Sequence, residues 1–224
     1  RGKRVTSKQL ALGLPEMTAD FVNAYVLGNV GATGGILGAC ATFHYNLKLA
    51  VDDIKSGRAK IAIAGSAESQ ITPEVMDGFI TMGALGTDQN LLELDKAKGL
   101  SEPDVRRACR PFGENCGFTL AEGAQLITLM DDELALEMGA QIHGVVPDVF
   151  VNADGYKKSI SAPGVGNYVT VAKAMAAARS IVGDKAFKER SFFQAHGTST
   201  PQNRVTESHI INEAAKHFGM DNYL

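Results

Sequence analysis

A layered α/β fold is what this 224-residue sequence predicts, and three observations predict it. Short apolar runs alternate along the chain with segments whose apolar residues recur at helical spacing, the pattern of strands and helices packed in layers. Glycine is abundant, 24 of 224 residues, and falls where those segments meet, as tight turns require. The composition is that of a folded globular chain: 45% hydrophobic and 21% charged residues, with a mean hydropathy of -0.04. These values exclude a membrane protein and a disordered one. A chain of this length buries a core without staples, as one domain or two small ones.

The elements follow in order. Phe43, Leu47, Ala50, Val51 and Ile54 recur at helical spacing with Lys48, Asp52 and Lys55 on the other side, so one face of this helix is buried and Gly57 ends it. Lys60 to Gly65, KIAIAG, reads as a buried strand. Pro73 suits the first position of a helix running to about Met82. Asp88 to Arg107 is polar and reads as a loop insertion. Phe118 to Leu129 is strand material interrupted by Glu122 and Gly123. Asp131 to Gly139 is a short helix with Gly139 at its end, and Ile142 to Val151 is a further strand. Asn152 to Gly166, rich in Gly, Ser and Pro, is a loop. Tyr168 to Val182 is apolar nearly all round, a helix buried between layers and closed by Gly183. Ser191 to Ala195 is a short strand, and Val205 to Phe218 a final helix.

Charge and cysteine content narrow the function classes. A net charge of -3 supplies no overall positive field to recruit nucleic acid or anionic lipid. Three cysteines are an odd number, and Cys109 and Cys116 lack the tight spacing of a zinc site or a disulfide framework. The expected compartment is a reducing cytoplasm. The basic start Arg1, Lys3, Arg4 precedes an apolar run, Leu10 to Leu14, too short for a signal peptide and broken by Pro15. No stretch approaches the roughly 18 apolar residues of a membrane span. The chain has no initiator methionine and stops just after a helix-like segment, so it is expected to be a piece of a longer protein.

Cys40 is the first candidate for chemistry. It follows the glycine-rich GATGGILGA and opens the helix that begins near Phe43, where unpaired N–H groups and the helix dipole stabilise a thiolate, the nucleophilic form. A buried cysteine acting as a small hydrophobe suits the same residues. Gly31, Gly34, Gly35 and Gly38 before a helix also raise a phosphate cradle, but the Lys-Ser/Thr ending of a P-loop and the GxGxxG spacing are both missing. His44 stands one helical turn beyond Cys40, either as a base or simply at packing distance. His196 is the second candidate, because it leaves the apolar SFFQA and enters the hydroxyl-rich GTSTP, a setting that suits a substrate site or a satisfied structural histidine. His143, His209 and His217 have no comparable setting. His and Cys never cluster at ligand spacing, so no metal is expected.

Several segments, in order and nearly chain-wide, together resemble the β-ketoacyl synthases of the thiolase superfamily. ACAT at Ala39 to Thr42 resembles the nucleophile motif, and Gly57 to Leu85 resembles the strand and helix that follow it. RPF at Arg110 and GFTLAEGA at Gly117 to Ala124 are similar to the family's RPFD and GFVxGEGA. NADG at Asn152 and SAPG at Ser161 match its middle loop, and AHGTSTP at Ala195 to Pro201 its histidine motif, with Glu207 eleven residues past His196.

The resemblance implies a thiolase-like layered αβαβα fold, with about half of the synthase domain present. Residues 1–138 would be the end of the N-terminal half and 139–224 the start of the C-terminal half. It implies a decarboxylative Claisen condensation of acyl and malonyl thioesters in fatty-acid or polyketide synthesis. Cys40 would accept the acyl group, and His196 would be one of two histidines stabilising the enolate left when malonyl loses carbon dioxide. Thr198 and Thr200 would bond the phosphopantetheine arm, Phe118 and Pro163 would line the malonyl pocket, and Glu207 and Glu122 would support. The implied partner is acyl carrier protein, which brings the phosphopantetheine, so no cofactor is expected; a homodimer is implied, and neither nucleic acid nor a membrane.

Three positions depart from the family pattern. Arg204 stands where the family has Asp, Cys116 replaces the Asp before GF, and the segment between Leu85 and Arg110 is longer than usual. The family's second histidine, its lysine and its GFGG loop lie beyond Leu224, so the chain alone is expected to be inactive. The alternatives are a non-decarboxylating thiolase-like acyltransferase, which needs Cys40 but no malonyl pocket, and a non-catalytic partner subunit. The presence of both Cys40 and His196 argues against the latter.

Overall fold

The computed structural model describes residues 6–159, 162–221 and 223; Arg1, Lys3 and Arg4 of the basic start and Ser161 of the SAPG segment lie outside them. In chain order the main elements are α1 (Ser7–Leu12), α2 (Thr18–Val22), α3 (Thr42–Lys55), β1 (Ile61–Glu68), α4 (Pro73–Thr81), α5 (Asp88–Leu94), β2 (Gly123–Met130), α6 (Asp132–Glu137), α7 (Val165–Arg190) and α8 (Pro201–Lys216). They fall into two compact units. One comprises residues up to Glu68 with Gly123–Val151, the other Ser69–Glu122 with Asn152–Leu224.

The first unit is built on α3 and an antiparallel pair in which Ile61 of β1 faces Met130 of β2 and Glu68 faces Gly123. The apolar stripe of α3 buries Leu47, Ala50 and Val51 against Ala64 of β1 and Val149, as the helical period requires. Strand side chains alternate between faces. Ala62 and Ala64 therefore meet this core, while Ile61 and Ile63 stay 47% and 43% exposed. The KIAIAG strand is thus buried on one face only, a correction that follows from a two-stranded sheet. Asp131 caps α6, accepting from the Leu134 N–H at 3.3 Å, and pairs with Lys60 at 3.2 Å.

Two expected strands are absent among the described residues. Ile142 to Val151 forms no ladder, although Val149 is buried in the core; an apolar run becomes a strand only where a neighbour accepts its hydrogen bonds. The same holds for Ser191 to Ala195. The strand expected from Phe118 begins instead at Gly123, and Phe118 makes an isolated parallel bridge to Leu85.

In the second unit, Thr72 and Thr200 open α4 and α8, each accepting from a backbone N–H three residues on, with Pro at the first helical position of both. The polar Asp88 to Arg107 stretch is not merely a loop. Thr87 caps α5, Leu91 is buried, and short 3-10 turns follow at Lys96–Lys98 and Val105–Arg107. Helix α7 breaks at Gly183, with φ 80 and ψ 161, where the expected helix closes; helix then resumes to Arg190. It is not buried all round. Met175 and Phe187 are its buried residues, packed with Ile211, Ala214 and Ala215 of α8, because one neighbouring helix covers one stripe.

Candidate functional site

Cys40 lies in the first unit, in a 3-10 turn, Ala39–Ala41, that leads directly into α3. The turn is strained: Ala39 has φ 48, a left-handed conformation that costs a residue with a Cβ about 1–2 kcal/mol. It is also pinned. The Gly38 N–H donates to Thr42 Oγ1 at 2.9 Å, and a Cβ at Gly38 would stand 2.0 Å from the Tyr45 ring, so only glycine lets the chain pass. The result is an exposed thiol just before a 14-residue helix, in a turn closed by the Ala41 N–H, which donates to Gly38 O at 2.9 Å. Strain persists where surrounding structure over-determines it, often at functional positions. His44 is exposed and meets Phe43 edge-on, with ring centroids 5.7 Å apart.

His196 lies in the second unit, with its imidazole exposed and its backbone fixed. The Glu207 carboxylate accepts from the His196 N–H at 2.6 Å with one oxygen and from the Gly197 N–H at 2.8 Å with the other. Asn203 Nδ2 donates to it at 2.8 Å. The carboxylate thus satisfies two backbone donors that have left any ladder. Beyond this turn the Thr198 and Thr200 hydroxyls lie 2.9 Å apart, and Thr200 Oγ1 caps α8 through the Asn203 N–H. His196, Glu207, Thr198 and Thr200 are therefore one constellation.

The remaining predicted residues surround other parts of this unit. Phe118 is half-buried and packs edge-on against Phe79, with centroids 4.9 Å apart. Pro163 is half-buried and precedes Gly164, the N-cap of α7, whose N–H donates to Asn167 Oδ1 at 2.8 Å. The preceding loop is held to the same helix end: Asp154 O accepts from the Gly166 N–H at 3.0 Å, and Asp154 Oδ1 from Asn167 Nδ2 at 3.0 Å. Glu122 Oε1 accepts from Ser69 Oγ at 3.0 Å and from the Ile71 N–H at 3.2 Å, tying the end of β1 to the approach of β2. Burial pushes the Cys116 thiol up. Arg204 donates to Gly113 O at 2.6 Å.

Sequence reasoning missed Asp95. It ends α5, is 1% exposed, and binds Arg110 through both carboxylate oxygens, at 3.0 and 2.5 Å, with Lys98 Nζ at 2.8 Å. A polar insertion containing Lys96, Lys98, Arg106 and Arg107 carries no local signal that one of its carboxylates is buried. The Arg110 bond, then that of Lys98, holds the Asp95 carboxyl well below the usual carboxylate range. Because folded Asp95 keeps its charge to lower pH than in the unfolded chain, its contribution to stability is complete above about pH 4 and is lost as pH falls through the folded-state value. Asp95→Asn in the whole protein is therefore expected to lower the melting temperature by several degrees at pH 7 and by clearly less at pH 2.5. Thermal melts across that range check it, and an equal deficit at both ends would count against an ionic role.

The family model for Beta-ketoacyl synthase, N-terminal domain, matches residues 4–135, more than half of the chain, and the chain belongs to the β-ketoacyl synthase family. Among particular relatives, Beta-ketoacyl-[acyl-carrier-protein] synthase FabY of Pseudomonas aeruginosa is 58% identical over 223 residues, 100% of this chain and 35% of FabY. The 3-oxoacyl-[acyl-carrier-protein] synthase 2 of Staphylococcus aureus is 31% identical over 96% of this chain and 50% of that enzyme. The crystal structure of the FabY ketosynthase from P. aeruginosa superposes with a TM-score of 0.91, covering 99% of this chain and 34% of that one. The ketosynthase of the AntDE:AntF complex shares the fold, with a TM-score of 0.67 at 24% identity over 94% of this chain and 48% of that one. The fold is thus the thiolase-like α/β fold of the ketosynthases, and the chain spans about a third to a half of the length of these relatives. No helix among the described residues is long and apolar enough to cross a membrane.

Proposed function

We propose that this chain supplies part of the active site of a β-ketoacyl synthase, which joins an acyl thioester to malonyl carried on acyl carrier protein in fatty-acid or polyketide synthesis. The observation that carries the reading is the exposed Cys40 thiol in a strained turn at the start of α3, within the segment matched by the family model. The Cys40 thiolate adds to the acyl carbonyl, the carbon–sulfur bond to the pantetheine breaks, and the pantetheine thiol leaves with a proton. Malonyl then loses carbon dioxide; the electron pair of the broken bond becomes an enolate, whose carbon attacks the acyl-Cys40 carbonyl and expels the Cys40 thiolate. His196 donates a hydrogen bond to the enolate oxygen.

Thr198 and Thr200 bond the phosphopantetheine arm, and Phe118 and Pro163 line the malonyl pocket. Glu207 holds the His196 backbone, a role its two bonds support, and Glu122 braces the strand ends. The reading needs no cofactor beyond the phosphopantetheine of the carrier protein, and it places the whole protein in the cytoplasm as a homodimer. The division into an N-terminal half ending near Met138 and a C-terminal half from Gly139 is supported by the end of the family match at residue 135.

Limited alkylation of the folded whole protein with iodoacetamide near pH 7, followed by peptide mapping, tests the nucleophile. Cys40 is expected to label first, because its thiol is exposed in the strained turn that opens α3. Half-buried Cys116 is expected to label last. Labelling of Cys109 or Cys116 as fast as Cys40 removes the assignment.

A further inference from the structure

Ser199 lies between the two threonines, is 1% exposed, and has φ 66, in the left-handed region that residues with a Cβ avoid. In an extended chain the side chains two apart on one face stand roughly 7 Å apart. Here the left-handed residue between them folds the chain so that the Thr198 and Thr200 hydroxyls lie 2.9 Å apart. Glycine would adopt this backbone freely; serine is kept in it by its bonds. Its Oγ accepts from the Arg110 N–H at 2.7 Å and donates to Ala108 O at 3.3 Å, and its carbonyl accepts from the Gly117 N–H at 3.1 Å. Arg110 is held in turn: its side chain is 12% exposed and grips buried Asp95 with both outer nitrogens. Asp95 is the C-cap of α5, in the Leu85 to Arg110 segment.

We infer that Ser199 is a positioning residue for the His196–Thr200 turn, and that Asp95 acts on the same turn by fixing Arg110. The inference rests on the proposed roles of His196, Thr198 and Thr200. The ion pair sets where the Arg110 N–H points, that N–H sets the Ser199 side chain, and Ser199 sets the spacing of the threonines and the exit of the chain from His196. Removing Oγ leaves a part-buried N–H without its acceptor and lets the turn relax, and small displacements of a positioned group cost large factors in rate.

The test compares the whole parent protein with Ser199→Gly, Ser199→Ala, Asp95→Asn and, as a control, the exposed Arg106→Gln. Ser199→Gly keeps the backbone conformation available, so it separates loss of the bond from misfolding. Three quantities are read: carbon dioxide release from malonyl thioester, acylation of Cys40 by an acyl thioester, and the His196 imidazole NMR resonance, assigned with His196→Gln. The expected result is a decarboxylation kcat lowered about 10- to 100-fold in Ser199→Gly and several-fold in Asp95→Asn, with the His196 resonance moved in both. Cys40 acylation stays within about two-fold of the parent, and Arg106→Gln stays parent-like. A parent-like rate and resonance in Ser199→Gly overturn the inference. If the parent itself releases no carbon dioxide, the proposed role of His196 fails, and the resonance still decides whether Ser199 and Asp95 position the turn: a moved signal upholds this, an unmoved one ends it.

Discussion

Cys40→Ala is expected to abolish the acyl-enzyme and to lower condensation by at least about 10³-fold, since no other group in the proposed mechanism accepts the acyl chain and loss of a covalent nucleophile removes the whole two-step route. Stability should barely change. The thiol is exposed, so its removal opens no cavity, and the bonds that pin the turn belong to Gly38 and Thr42. Alanine also continues the Ala39–Ala41 turn without a new steric demand. Intact-mass spectrometry of the whole protein after incubation with an acyl thioester reads the result directly: an adduct on the parent and none on the variant. An acyl adduct of parent-like stoichiometry on Cys40→Ala would place the nucleophile elsewhere, with Cys109, also exposed, the first residue to map.

His196→Ala is expected to separate the two half-reactions. Loss of one preorganised donor at a developing oxyanion costs about 3–4 kcal/mol of transition-state stabilisation, or roughly 10²–10³ in rate, so carbon dioxide release from malonyl thioester should fall by that factor. Transfer of the acyl group to Cys40 should stay within a few-fold, because that step does not pass through the enolate. The variant keeps its loop: Glu207 binds the backbone N–H groups of residues 196 and 197, which alanine retains, and the imidazole is exposed. Radiolabelled acyl transfer and carbon dioxide release measured on the same preparation decide between roles. Unchanged decarboxylation would identify His196 as a structural residue.

The tertiary structure also explains why the turn carrying His196 is built as it is. A carboxylate eleven residues downstream, on the first turns of α8, can reach back to the backbone only because Thr200 and Pro201 start that helix where they do. The cap therefore does two jobs, ending the histidine turn and aiming Glu207. Arg204 adds a bond from α8 to the Gly113 carbonyl, so the Arg110 to Gly117 segment is held to the histidine turn from Ser199 and to α8 from Arg204.

By itself the sequence determined those elements whose causes are local. Helix α3 was legible because five apolar residues repeat at 3.6-residue spacing. The start of α4 was legible from its proline and the end of α6 from its glycine, both signals confined to one helix turn. The motifs around Cys40 and His196 were legible because their residues lie within a few positions of one another. The tertiary structure alone decided what depends on a distant neighbour. Ile142 to Val151 and Ser191 to Ala195 have strand composition but no ladder among the described residues, since composition cannot supply a pairing partner. Asp88 to Arg107 read as a solvated loop, yet Asp95 is buried in it, because burial of a carboxylate follows from where Arg110, fifteen residues on, is brought. Nor can the left-handed backbone of Ser199 be read from HGTSTP: serine avoids that conformation by itself, and only its bonds to Arg110, Ala108 and Gly117 hold it there.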